Sequence, residues 1–316
     1  MPSPKLAELK EGETFEGFYA VRESALHTTV GGKFYIRLTL ADSSLSLLAN
    51  IWDATQEQYH GFAVGDVVKV RGVAESYKGR QQAKILQLRV AHASEVENEE
   101  FLPSTPRDTN TLRAELRRLV ASVGDRHYRA LLEAFFGDDS LLDRFARAPA
   151  AKENHHACLG GLMEHSVAVA RLAEGFAAAQ PDALDRDLLV AGALLHDIGK
   201  VDELSATTTI DYTDVGRLVG HLVIGCLMVE ARTSASPAFP IAKKWAIQHL
   251  ILSHHGRREY GSPVLPATPE ALALHHLDNL DAKVAAANRL IAEDPDPLRR
   301  WTERSWMLET PLYKGL

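Results

Sequence analysis

The chain has 316 residues, 46% of them hydrophobic, and a formal net charge of −7. That length accommodates two domains with substantial cores. Two cysteines, Cys158 and Cys226, exclude a disulfide-rich scaffold and point to a reducing, cytoplasmic compartment. No apolar run reaches spanning length, and no apolar stretch follows residues 1–5, so neither a membrane span nor a signal peptide is expected.

Residues 14–22, 33–40, 45–52, 67–74 and 82–90 are short, rich in Val, Ile, Leu, Phe and Tyr, and partly alternating, which predicts strands. Gly31-Gly32, Ala41–Ser44, Gly65-Asp66 and Lys78–Arg80 punctuate them as turns. Five strands in about 80 residues suit a small OB-type barrel, although another five-stranded barrel satisfies the same pattern. The module spans 1–92, where 11 basic residues stand against 10 acidic; the remainder holds 24 against 32. Its positive charge is concentrated in Lys69, Arg71, Lys78, Arg80, Lys84 and Arg89, with Glu75 the one acid among them. This strip is either a track for a phosphate backbone or the solvated edge of a sheet. Phe34, Tyr35 and Tyr77 are candidates for stacking on bases, and Trp52 is the aromatic expected in the barrel core.

Residues 93–108, with Glu95, Glu97, Glu99, Glu100 and then Pro103-Ser104-Thr105-Pro106, read as a linker. From 109 to 316 the apolar period becomes helical, and an all-α domain is expected. Leu112, Leu116, Leu119 and Val120 share one face, and helices follow at about 160–179, 187–197, 215–232, 240–254 and 269–292. Thr268 with Pro269 forms a helix start, and Gly199 and Gly256 read as helix stops.

The chemistry lies in an ordered series on this apolar background: His165, His196-Asp197, His221, His254-His255 and Asp278. Each alone has a bland reading; His165 and His221 could be satisfied core histidines. An ionisable His-Asp pair ending an otherwise apolar run needs partners, because an unpaired buried carboxylate is very costly. Imidazoles and carboxylates projecting inward from several helices are how metal sites are built in helical bundles. The count suits two ions, one held by His165, His196, Asp197 and Asp278, the other by Asp197, His221, His254 and His255. Lys200 is placed to reach a phosphate oxygen. Asp281, three residues from Asp278, shares its face and is read as a support or substrate contact.

The order His…His-Asp…His…His-His…Asp resembles the HD-domain metal-dependent phosphohydrolases. With the barrel in front, the whole chain resembles the YhaM-type 3′–5′ exoribonucleases. The likeness rests on residues 155–165, 187–200, 220–221, Ser253-His254-His255-Gly256, 259–263 and 277–283. Tyr260, where a tryptophan is expected, departs from the pattern without touching a predicted ligand. The resemblance implies an OB-fold joined to an HD domain, and Mn²⁺-favouring hydrolysis of single-stranded RNA or DNA from the 3′ end to nucleoside 5′-monophosphates. Fe²⁺, Co²⁺ or Mg²⁺ would also suit the ligands. His155 or His156 is assigned to the terminal nucleotide or to proton transfer, and Arg257 to the phosphoryl oxygens. The alternative is an HD-domain nucleotidase or phosphodiesterase acting on a small nucleotide, with a regulatory barrel. The sequence is compatible with a homo-oligomer but does not specify one.

Overall fold

The computed structural model describes residues 3–77, 80–96, 101–152, 156–236, 238–292, 294, 296 and 298–315. The chain separates into two compact units: Met1–Ser104 with Ala206–Thr209, and Thr105–Ser205 with Ile210–Leu316.

In the first unit, β1 (Thr14–Thr28), β2 (Phe34–Ala41), β3 (Ser46–Trp52), β4 (Val67–Tyr77) and β5 (Arg80–Val90) close into a barrel of order β1-β2-β3-β5-β4. A short helix, α1 (Gln56–His60), separates β3 from β4 and starts on a reciprocal cap between Thr55 and Gln58. Closure comes from a parallel pairing of β3 with β5, Leu48 opposite Gln82 through Asn50 opposite Lys84, while the other pairings are antiparallel. This is the connectivity of an OB-fold. The period of two sends Ile36, Leu38, Leu40, Leu47, Ala49, Val68, Val70, Ala83 and Ile85 inward. Gly72 is required opposite the bulge of β5 at Leu86, because a Cβ there would lie 2.9 Å from the Lys84 carbonyl oxygen. Trp52, expected in the core, is instead 45% exposed. It occupies the outward phase of β3, opposite Tyr35, so strand register and not ring size decides its face.

The supposed linker is partly folded. Phe101 is buried with Ala20 and Val67, and the boundary between the units falls after Ser104.

The second unit is helical: α2 (Thr109–Ser122), α3 (Arg126–Phe136), α4 (Asp139–Arg147), α5 (Gly161–Ala179), α6 (Arg186–Leu195), α7 (Lys200–Glu203), α8 (Asp214–Leu218), α9 (His221–Ser234), α10 (Ile241–Ser253) and α11 (Pro269–Ala292). A two-stranded sheet, β6 (Leu204–Ala206) with β7 (Ile210–Tyr212), follows α7. Asp108, Asp125, Asp138 and Asp185 each cap a helix by accepting backbone N–H bonds, which fixes where α2, α3, α4 and α6 begin. Thr268 does the same for α11, its Oγ1 accepting from Ala271 N at 3.2 Å. α5 and α6 carry long buried runs into one core that also takes Leu116, Phe135, Phe145, Val229 and Leu250. Among the described residues, no helix is long and apolar enough to cross a membrane.

Two helical expectations are corrected. The single helix expected at 215–232 is two, broken at Gly220, whose φ of +77° favours glycine. His221 is therefore the first residue of α9, where its backbone N–H has no intrahelical partner and bonds Glu203 instead. Gly199 is not a left-handed stop; its φ is −64°. It is needed because a Cβ would stand 2.1 Å from the His221 carbonyl oxygen, so it lets the start of α9 approach the end of α6. Gly256 does have the positive φ, +78°, of a helix stop.

Gly192 performs the same service deeper in the core, where α6 meets α10. A Cβ there would lie 2.2 Å from Leu250 Cδ2 and 3.2 Å from its Cγ, and Leu250 is fully buried. Gly192→Ala is expected to destabilise the helical unit by about 1–3 kcal/mol through overpacking. Urea unfolding followed by circular dichroism checks this; a midpoint equal to the parent's means that Leu250 yields without cost.

Candidate metal centre

The series of histidines and aspartates converges at one end of α5, α6, α9 and α10, against the middle of α11. His165 Nε2 lies 3.2 Å from His196 Nε2 and 3.1 Å from Asp278 Oδ1. Asp197 Oδ2 approaches the same group, 3.4 Å from His196 Nε2 and 3.7 Å from His165 Nε2. The other oxygen of Asp197 turns to a second group, with Oδ1 3.5 Å from both His221 Nε2 and His254 Nε2. The ligand atoms of His221, His254 and His255 all lie within 4.8 Å of one another. One carboxylate thus has an oxygen in each of two adjacent clusters.

Each of the five imidazoles is held from behind. Nδ1 bonds Asp281 in His165, the Ala193 carbonyl in His196, Glu203 in His221, the Ile251 carbonyl in His254 and the Tyr260 carbonyl in His255, all at 2.8 Å. A carbonyl or carboxylate oxygen only accepts, so Nδ1 carries the proton and the Nε2 lone pair is aimed inward. This arrangement orients imidazoles for a cation. His221 Nε2 and Asp197 Oδ1 are buried without a hydrogen-bond partner, as ligand atoms left facing an ion site would be.

The electrostatics point the same way. Asp197 and Asp278 are held well below the usual carboxylate range: burial opposes their ionisation, but Lys200 and the imidazoles outweigh it. Burial also works against a charged His165, yet Asp278 and Asp281 beside it push its pKa up to about 10. His254 goes the opposite way, down to about 3, through burial. A pocket that proton-loads one imidazole against its burial is short of positive charge. The donor set is nitrogen and oxygen without thiolate, which fits a borderline or hard divalent cation.

The centre forms the floor of a cavity of about 1010 Å³. A model of the HD domain matches residues 162–283. The 3′-5′ exoribonuclease YhaM of Bacillus subtilis is 35% identical over 301 residues, covering 94% of this chain and 93% of that protein. Its namesake from Bacillus velezensis is 35% identical over 305 residues, with the same coverage. The chain belongs to the YhaM exoribonuclease family. Among solved structures, the second OB-fold domain of replication protein A from Methanococcus maripaludis is similar at a TM-score of 0.23 and 16% identity, over 28% of this chain and 94% of that one.

Other residues singled out in this YhaM relative fall in different places. Lys200 Nζ is 2.7 Å from Asp197 Oδ2, so its charge is engaged with the carboxylate while it lines the cavity. Arg257 lines the cavity too, mostly exposed and 5.7 Å over the Tyr260 ring. His156, at φ +56°, stands between Glu164 and Asp281, 3.4 Å from each, behind His165. His155 and Lys78 lie outside the described residues, as does the side chain of Arg80. Glu203 was missed: its acidic side chain reaches His221 across 18 residues of sequence, which no local pattern signals.

On the barrel, the described members of the basic strip lie on β4 and β5. Lys69 pairs with Glu16 at 3.0 Å and Arg89 with Glu95 at 2.7 Å, beside exposed Arg71. Lys84 stands opposite Val73 of β4 and Asn50 of β3, and through Asn50 in register with Arg37. Next to that row, Tyr35 is stacked between His27 and Trp52, with ring centres 5.2 and 4.9 Å away. Phe34 and Tyr77 are exposed. His27 and Arg37 were not singled out, because only strand register shows which residues stand side by side.

Asp197→Ala is expected to lower bound metal to at most half the parent's content, read by mass spectrometry of the purified protein after incubation with Mn²⁺. Full retention of metal would show that this carboxylate does not join the two clusters. Glu203→Gln, which leaves every ligand in place, is expected to weaken metal binding by about 10–100-fold, measured by titration.

Proposed function

We propose that this protein is a metal-dependent 3′–5′ exoribonuclease that shortens single-stranded RNA, and single-stranded DNA in the same cavity, to nucleoside 5′-monophosphates. The observation that carries this reading is the set of five back-anchored imidazoles aimed at two carboxylates, Asp197 buried and Asp278 half-buried, on the floor of an open cavity, in a member of the YhaM family.

One ion would be held by His165, His196, Asp197 and Asp278, and a second by Asp197, His221, His254 and His255, with Mn²⁺ the ion that the family resemblance implies. When bound, such a pair supplies Lewis-acid stabilisation of charge on the entering and leaving oxygens of a phosphodiester. The chain's own part is to orient and to neutralise. Asp281 and Glu203 hold two of the imidazoles in one tautomer, and Lys200 holds Asp197 in place. Arg257 and Lys283 on the cavity wall bring positive charge to the phosphate. Upstream strand is held by the barrel, where His27 and Trp52, stacked on either side of Tyr35, offer their outer ring faces to bases and Arg37 and Lys84 offer charge to phosphates. Free Cys158 and Cys226 support a cytoplasmic setting.

The direct test incubates the full-length protein with Mn²⁺ and 5′-labelled single-stranded RNA. A ladder shortening progressively from the 3′ end is expected; intact RNA beside hydrolysed mononucleotides would move the assignment to a small-nucleotide phosphohydrolase. For the barrel, changing Arg37 and Lys84 together to Gln is expected to reduce the log–log salt slope of RNA binding by about 0.7 for each lost phosphate contact. Equal slopes in mutant and parent would remove this row from the strand's path.

A further inference from the structure

The cavity has a wall that neither the histidine series nor the matched domain contains. After α11 the chain returns as a hairpin whose base is well tied. Trp301 bridges Tyr313 with rings 5.0 Å apart, Thr302 N–H donates to the Leu312 carbonyl at 2.9 Å, and Lys314 Nζ bonds Asp294 at 2.8 Å. Its tip is braced by Ser305 N–H on the Thr310 carbonyl at 3.2 Å and by Arg304 Nε on the Glu309 carbonyl at 3.2 Å. Glu309 takes φ +57°, a conformation unusual outside glycine, to turn the tip. That tip brings Trp306, Met307 and Leu308 to the cavity whose floor is the metal centre.

Trp306 is 80% exposed. A tryptophan on a braced tip that covers no core has its ring face available, and the cavity divides by chemistry. Arg257, Lys283 and Lys200, the last engaged with Asp197, bring positive charge to it, while the tip brings an indole, a thioether and an isobutyl group beside the Glu309 carboxylate. Charge for a phosphate and apolar surface for a flat ring together describe a nucleotide. We propose that Trp306 is the stacking surface for the nucleobase at the scissile end of the substrate, making the C-terminal hairpin part of the substrate site. This rests on the exonuclease reading of the same cavity. Stacking on an indole face accepts all bases, because every base has a π face, so the contact grips the chain end without selecting sequence.

The test compares binding of adenosine 5′-monophosphate and of ribose 5-phosphate to the full-length, Mn²⁺-incubated protein by calorimetry. The two ligands share the phosphate and differ in the base. The parent is expected to prefer the nucleotide about tenfold, Trp306→Ala to lose that preference while keeping its affinity for ribose 5-phosphate, and Trp306→Phe to retain most of it. Unchanged preference in Trp306→Ala, no preference in the parent, or equal loss of both ligands in Trp306→Ala would each overturn the proposal. Failure of the exonuclease reading looks different: the RNA ladder is absent while the base preference still disappears with Trp306.

Discussion

The constraint on which the helical unit depends is the crowding of inward-facing lone pairs and carboxylate charge in a place with little water. Five Nε2 atoms and the oxygens of Asp197 and Asp278 face one another at hydrogen-bonding distances or a little beyond, yet too few protons are available to pair them. Removing such groups from water is unfavourable unless a cation compensates. Lys200, paired with Asp197, supplies one positive charge. A divalent cation meets the need more fully, so the site is held in readiness by the fold at a cost that ion binding recovers.

Much of the surrounding architecture serves that convergence. Four helices must bring their ends together, and close approach is arranged by glycine. Gly199 admits the His221 carbonyl, and Gly192 admits Leu250 where α6 packs on α10. Backbone carbonyls from α6, α10 and the turn at Tyr260 then fix three of the rings, and Asp281 and Glu203 fix the other two. Because the acceptors belong to rigid elements, the lone pairs point one way before any ion arrives, which is the preorganisation that metal sites require.

The barrel follows a different logic. Its interior is a small aliphatic core, and register decides which side chains stand together on the strands. Tyr35 and Trp52 become partners because β2 and β3 run antiparallel with those residues opposite each other. Arg37, Asn50 and Lys84 become a row because β5 adds to β3 in parallel, the pairing that also closes the barrel.

What was legible in the sequence was whatever depends on local periodicity and chemical type. Alternation located the five strands; the 3.6-residue period located α5, α6, α10 and α11 almost to the residue, and Thr268-Pro269 marked the start of the last. Ionisable residues ending apolar runs identified His196-Asp197 and His254-His255, since burial without partners is unfavourable wherever it occurs. Tertiary structure decided what depends on distance through space. It made Glu203 the support of His221, broke one expected helix at Gly220, turned Trp52 outward, and brought a hairpin after α11 to the metal centre's cavity. The support of His221 by Glu203 and the return of the hairpin have no local signature, because each is set by packing between segments far apart in the chain, and pair distances of that kind are not encoded in any single stretch of residues.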